Sequence, residues 1–249
     1  MKRMAFGVLV VGLLTACAAQ PAQQVNPAGT QVTLHLDKSG NPAISSDEEQ
    51  VLSAVRMIQD GKIMAAIDGP LNAVISKFET QYAHSDVKVY SARGTTDALI
   101  YAALVTSVAP GQKVEVLGPA WAMAYWARGY AYGEMARYDD ERLELEKALA
   151  LAPMDAQYSN ELAYVYVQKR DWQNALEYYE KAGEFADFNP TNAQSMKCTS
   201  FRGQGYVLVE LHRLDEAEAK YRACLKITPN EPKSLGEIGY IEDLRKKPH

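Results

Sequence analysis

The chain has 249 residues, of which 23% are charged and 47% hydrophobic. That is enough to build a core in one or two domains, so it is neither a disordered tract nor a disulfide-built miniprotein, which would need more than three cysteines. The formal charge of −5 excludes the basic surface expected of a nucleic-acid binder.

Residues 1–16 have the layout of an export signal: Lys2 and Arg3 at the start, then an apolar run from Ala5 to Ala16. The run is about a dozen residues, too short for a membrane span of roughly 20. It ends in Leu14-Thr15-Ala16-Cys17, which resembles the lipobox of bacterial lipoproteins. The resemblance implies that Cys17 becomes the mature N-terminus, carrying diacylglycerol and an N-acyl chain such as palmitate. Two or more acyl chains hold a protein stably on a bilayer. Ala18, where an aspartate would favour inner-membrane retention in enteric-type lipoproteins, implies a periplasm-facing place on the outer membrane. A plain secretory signal with a coincidental cysteine is the alternative. Loss of Lys2 and Arg3 takes the charge of −5 down by two, to −7.

Residues 17–45 are rich in Ala, Gln, Pro, Asn and Gly and read as a lipidated tether. Inside it Val32-Thr33-Leu34-His35-Leu36 alternates as a short strand would, followed by the turn signal Ser39-Gly40-Asn41-Pro42. Residues 46–118 read as a helical section with short strands. Asp47-Glu48-Glu49 suit a helix start, and Val51, Leu52, Val55 and Ile58 make one stripe. Gly61 turns the chain, Gly69-Pro70 breaks a second run, and Leu71 resumes it, in what reads as a degenerate helical hairpin. Val87-Lys88-Val89-Tyr90, a helix from Thr96, and Lys113-Val114-Glu115-Val116-Leu117 then spell either a βαβ unit, with Val32–Leu36 as a third strand, or loops around one helix.

Residues 119–249 carry three similar segments, at 122–153, 156–187 and 198–229, the first two starting 34 residues apart. Aligned, they place small residues at Gly129, Ala163 and Gly205, followed by Tyr132, Tyr166 and Leu208. The turn position holds Tyr138, Trp172 and Leu214. The second half reads Glu141, Ala175, Ala217; then Leu145, Tyr179, Tyr221; then Ala148, Ala182, Cys224. This pattern resembles the tetratricopeptide repeat family, and implies a mostly α fold: a solenoid of three stacked helical hairpins. Pro232 to Lys247 repeats only the first helix, with Leu235, Ile238 and Leu244 as its stripe, and reads as a capping helix. Glu141 departs from the small-residue rule, so the first repeat is expected to splay or to turn that carboxylate to solvent. A surplus over 188–195 separates the second and third repeats, with Thr191 or Asn192 as the cap of the next helix.

Chemistry is sparse. His35, His84, His212 and His249 lack metal-ligand spacing. Gly203-Gln204-Gly205 sits in a repeat helix and suits helix packing better than phosphate binding. Arg93-Gly94-Thr95-Thr96-Asp97 opens a helix that either caps itself or accepts an anion. No catalytic constellation stands out, so no enzyme, cofactor or metal is expected.

In the family's architecture the first helix of each pair lines a concave face. The ninth position of each repeat is then Tyr130, Tyr164, Tyr206 and Tyr240, with Trp126, Asn160 and Arg202 flanking. Tyrosine offers a flat apolar ring and one hydroxyl at low ordering cost, as binding surfaces use it; the alternative is rings packed between helices. The lysine and asparagine clamp that some family members use for a C-terminal carboxylate is missing. Cys198 and Cys224 fall at opposed helix ends of the third repeat, as either a disulfide or two buried thiols. The sequence thus reads as an envelope adaptor that grips another envelope protein or peptide, or alternatively as a binding module for cell-wall glycan or peptide.

Overall fold

A computed structural model describes residues 22–25, 30–34, 43–108, 112–188 and 192–246. The export signal, Cys17, His35, Leu36, the turn at 39–42, Thr191 and His249 lie outside them.

Four antiparallel helical hairpins make up most of what is described. The first pairs α1 (Ser46–Gln59) with a long helix built of α2 (Ile63–Ala66), a π-turn (Ile67–Leu71) and α3 (Asn72–Tyr82). Ser45 caps α1 by accepting from the Glu48 amide at 3.1 Å, and Asp47, Glu48 and Glu49 fill its positive end. Gly69-Pro70 does not break the second run as expected. The wider π-turn takes in the proline, whose missing N–H and ring would interrupt a regular α-turn, and keeps Ile67 and Leu71 in the core.

The next three hairpins are α5 (Ala120–Glu134) with α6 (Tyr138–Leu151), α7 (Ala156–Gln168) with α8 (Trp172–Phe185), and α9 (Ala193–Glu210) with α10 (Leu214–Ile227). α11 (Pro232–Lys246) closes the stack. Small residues permit the close approaches. A Cβ on Gly205 would stand 2.7 Å from the Tyr221 ring, and Ala163, Ala175 and Ala217 are fully buried. Gly203 abuts the Tyr179 ring in the same way, so Gly203-Gln204-Gly205 serves helix packing.

Two details differ from the sequence reading. The surplus before the third repeat is partly absorbed by an early start of α9, whose N-cap Asn192 makes no side-chain capping bond. On α11 the inward stripe is Ile238 and Ile241, both buried, with Leu244 partly buried beside them, whereas Leu235 is half exposed. Leu235 sits in the first turn, where Glu231 draws the chain in by accepting from the Ser234 amide and hydroxyl, both at 2.7 Å.

Between the first and second hairpins runs β3 (Lys88–Ser91), α4 (Thr95–Val108) and β4 (Val114–Leu117), a βαβ unit with parallel strands. β2 (Thr30–Leu34) adds in parallel to β4, and β1 (Ala22–Val25) in antiparallel to β2, giving the order β1-β2-β4-β3. The segment read as tether therefore contributes two strands. The polar Ala22-Gln23-Gln24-Val25 carries no apolar alternation that would announce the outer one.

One core joins the first two hairpins: Trp121 of α5 stacks on Phe78 and Tyr82 of α3, at 5.4 and 5.5 Å between centroids. A second joins α8, α9, α10 and α11. Arg93, at the exit of β3, fastens the sheet to the solenoid. It pairs with Asp155 at 2.5 Å and covers the Tyr158 ring at 4.9 Å. Asp97 accepts from the Arg93 amide at 3.0 Å, so the N-terminus of α4 is filled by the chain's own carboxylate and not left to an anion.

Candidate functional site

A recess of about 410 Å³ opens where α5, α6 and α7 meet, with Tyr179 of α8 and Thr199 of α9 at its far side. Its size lies within the range of ligand sites. Tyr130 and Tyr164 stand in its wall. Tyr130 is half buried and stacks on Trp126, with centroids 6.1 Å apart and ring planes within 10°. Tyr164 is 50% exposed, so its ring is open to a partner and not filling the solenoid.

The remaining candidates separate. Tyr206 is exposed, meets the edge of Trp172 at 6.4 Å and is not part of the recess lining. Tyr240 is exposed on α11 and lies outside the recess. Trp126 sits beneath Tyr130 and donates from Nε1 to Glu161 Oε2 at 2.6 Å. Asn160 is buried and lines the recess. Arg202 belongs to a different hollow, beside Cys198, Thr228 and Glu231. It donates to Thr199 Oγ1 at 3.2 Å and stands 3.8 Å from Glu231. Cys198 and Cys224 are bonded as a disulfide across that hairpin.

Glu141 corrects the sequence reading. Its carboxylate neither faces solvent nor splays the hairpin. It is 6% exposed and lies against Gly133, where a Cβ would come within 2.7 Å of Oε2. The missing side chain of Gly133 makes the room that a small residue at 141 would otherwise have made. Glu141 Oε2 finds no hydrogen-bond partner among the described residues, and neither does Oδ1 of Asn160, whose Nδ2 donates to the Met196 carbonyl at 3.4 Å. Burial pushes the Glu141 carboxyl up to about 7, with help from Glu161 and Glu134. Burial likewise pushes Glu161 up to about 7, against the hydrogen bonds it accepts from Gln157 and Trp126.

Of the residues singled out from the sequence for binding, Tyr130, Asn160 and Tyr164 line the recess, and the acids beside them were not among those candidates. Glu134 and Glu161 look like ordinary helix-surface acids; Glu141 was visible only as a misfit in a packing slot. Among the described residues no group of three His, Cys, Asp or Glu side chains is placed to hold a metal ion.

A family model described as tetratricopeptide repeat matches residues 122–154, the α5–α6 hairpin and its exit. No curated protein matches the chain. Among solved structures, pilF of Pseudomonas aeruginosa is similar with a TM-score of 0.56 at 13% identity, over 81% of this chain and 71% of that one. MamA from AMB-1 gives 0.48 at 18% identity over 80% and 82% of the two chains. The N-terminal domain of stress-induced protein-1 from C. elegans gives 0.44 at 20% identity over 49% and 94%. The repeat match and the likeness to pilF agree with the hairpins: the protein folds as a tetratricopeptide-type α-α solenoid with a small α/β section set between its first two hairpins.

Proposed function

We propose that this protein is an adaptor, anchored through Cys17 to the outer membrane and facing the periplasm, that grips another envelope protein in its concave recess. Tetratricopeptide-type solenoids are protein-binding scaffolds as a class, and the stack offers a surface wider than any one hairpin. The observation that carries the reading is the open aromatic wall: Tyr130 and Tyr164 flank one recess, and Tyr206 is exposed on the first helix of the following hairpin. Half-exposed rings on rigid helices are poor core filler and good binding surface. Lipidation at the motif ending in Cys17 would confine the scaffold to a membrane and raise its effective concentration toward envelope partners.

The test is crosslinking in cells followed by detergent extraction. Replacing Tyr164 and Tyr206 together with alanine is expected to abolish stoichiometric capture of a protein while leaving the far-ultraviolet helical signal unchanged. Cys17→Ser is expected to end labelling by an alkyne-tagged palmitate and to release the chain from the membrane. Unchanged capture by the tyrosine double variant would refute the groove. Retention on purified peptidoglycan, with no protein captured, would favour a cell-wall binding module instead.

A further inference from the structure

We infer that the recess walled by Tyr130 and Tyr164 takes a lysine or arginine side chain of the partner, inserted over Glu141 and Asn160; this rests on the proposed adaptor function and names the chemistry its site selects. Two side chains at the recess are each only 6% exposed and keep an unpartnered oxygen: Glu141 with Oε2 and Asn160 with Oδ1. Asn160 Oδ1 is an acceptor, and so is Glu141 Oε2 in its ionised form, which a neighbouring cation favours over the protonated form that burial promotes. A buried polar group without a partner is unfavourable, and the group that resolves two acceptors at once is a donor with several N–H bonds. A lysine ammonium carries three and an arginine guanidinium five, and neither has an acceptor that would clash.

Charge points the same way. The recess is faced by Glu134 from α5, Glu141 from α6 and Glu161 from α7, and no lysine or arginine lines it among the described residues. The nearby cations are engaged elsewhere: Arg128 and Lys147 with Glu144, and Arg142 with Glu146. The walls complete the fit. Tyr130, Tyr138, Tyr164 and Tyr179 present rings around the acids, and aromatic faces attract a cation by their quadrupole. An anionic peptide end, by contrast, would meet three acidic side chains and, among the described residues of the lining, no cation. Glu161 is already satisfied by Trp126 and Gln157, so it supplies field and not a free acceptor. The incoming cation is therefore bonded by Glu141 and Asn160.

The test uses the full chain in detergent against a phage-displayed library of random twelve-residue peptides, beside Glu141→Gln and the Tyr164→Ala/Tyr206→Ala pair. The wild-type chain is expected to enrich peptides with lysine or arginine at one fixed position. Glu141→Gln is expected to lose that preference, and the tyrosine pair to lose the peptides altogether. The strongest peptide is then remade with norleucine in place of its fixed cation, which leaves the protein untouched. Its dissociation constant, by fluorescence anisotropy, is expected to rise at least tenfold. Peptides that need Tyr164 and Tyr206 but show no cation preference, or tolerate norleucine, would overturn this inference and leave the adaptor reading standing. Peptides indifferent to the tyrosine pair, or no enrichment at all, would overturn both.

Discussion

Glu141 holds an acid in a slot where its counterparts in the next hairpins are Ala175 and Ala217, both fully buried. The fold tolerates it because Gly133 gives way, but an unpaired oxygen remains. The sign of the pH dependence follows. The carboxyl sits at about 7 when folded against 4.5 as its ordinary value. Below pH 4.5 it is protonated in both states and folding is not opposed. As pH rises through 7 the folded protein must bury a charge that the unfolded chain hydrates, so stability is lost across that window. At roughly 1.4 kcal/mol per pKa unit the loss is at most about 3–4 kcal/mol. Glu141→Gln keeps the shape and removes the charge. Urea denaturation at pH 5 and pH 8 is expected to show the variant gaining over wild type by about 2 kcal/mol or more between the two. A constant difference would mean that the carboxylate reaches water after all.

At the level of elements, one backbone device recurs in every hairpin. The first helix ends with a left-handed residue: Gly61 at φ 78°, Ala136 and Arg170 at 56°, His212 at 57°. In each case its amide bonds back three residues, and the next amide bonds back five, as from Arg137 to Tyr132 and from Lys62 to Met57. This is the Schellman closure, which satisfies the orphan carbonyls of a helix end. Its presence after α1 shows that the N-terminal pair turns as the repeats do. Glycine suits the position and a branched residue does not. Ala136→Gly is expected to hold or raise stability by up to about 1 kcal/mol, and Ala136→Val to lower it by about 1–2 kcal/mol, in urea titrations. Equal effects would sink the left-handed assignment. This is also where the sequence fell silent. Alanine, arginine and histidine carry no turn signature, and Pro70 read as a break because a π-turn has no motif. The hairpins themselves were legible, since Gly129, Ala163 and Gly205 fall at one repeat position. So were Tyr130 and Tyr164, at the next position along. The acids of the recess were not, because desolvation of Glu161 and Glu141 is a property of three helices meeting and not of any one.

On the scale of the whole molecule, the βαβ unit is an insertion between two hairpins that still pack on each other through Phe78, Tyr82 and Trp121. The solenoid therefore runs from α1 to α11, with the sheet clasped on through Arg93 and Asp155. In such a stack each hairpin leans on its neighbours, and a local loss of stability stays local. The Cys198–Cys224 bond offers the measurement. It closes a loop with a sequence separation of 26, which constrains the unfolded chain by about 3 kcal/mol in the entropic account. Replacing both cysteines with alanine is expected to raise amide exchange by up to that equivalent in α9, α10 and α11. Exchange in α5 and α6, two interfaces away, is expected to change by well under 1 kcal/mol. The peptide chosen by the recess should then bind the double variant within a few-fold of wild type, because Tyr130, Glu141 and Tyr164 all lie on helices ahead of the bond. Equal loosening from α1 to α11 would mean that the molecule unfolds as one cooperative body, and that the recess depends on the far hairpin for its shape.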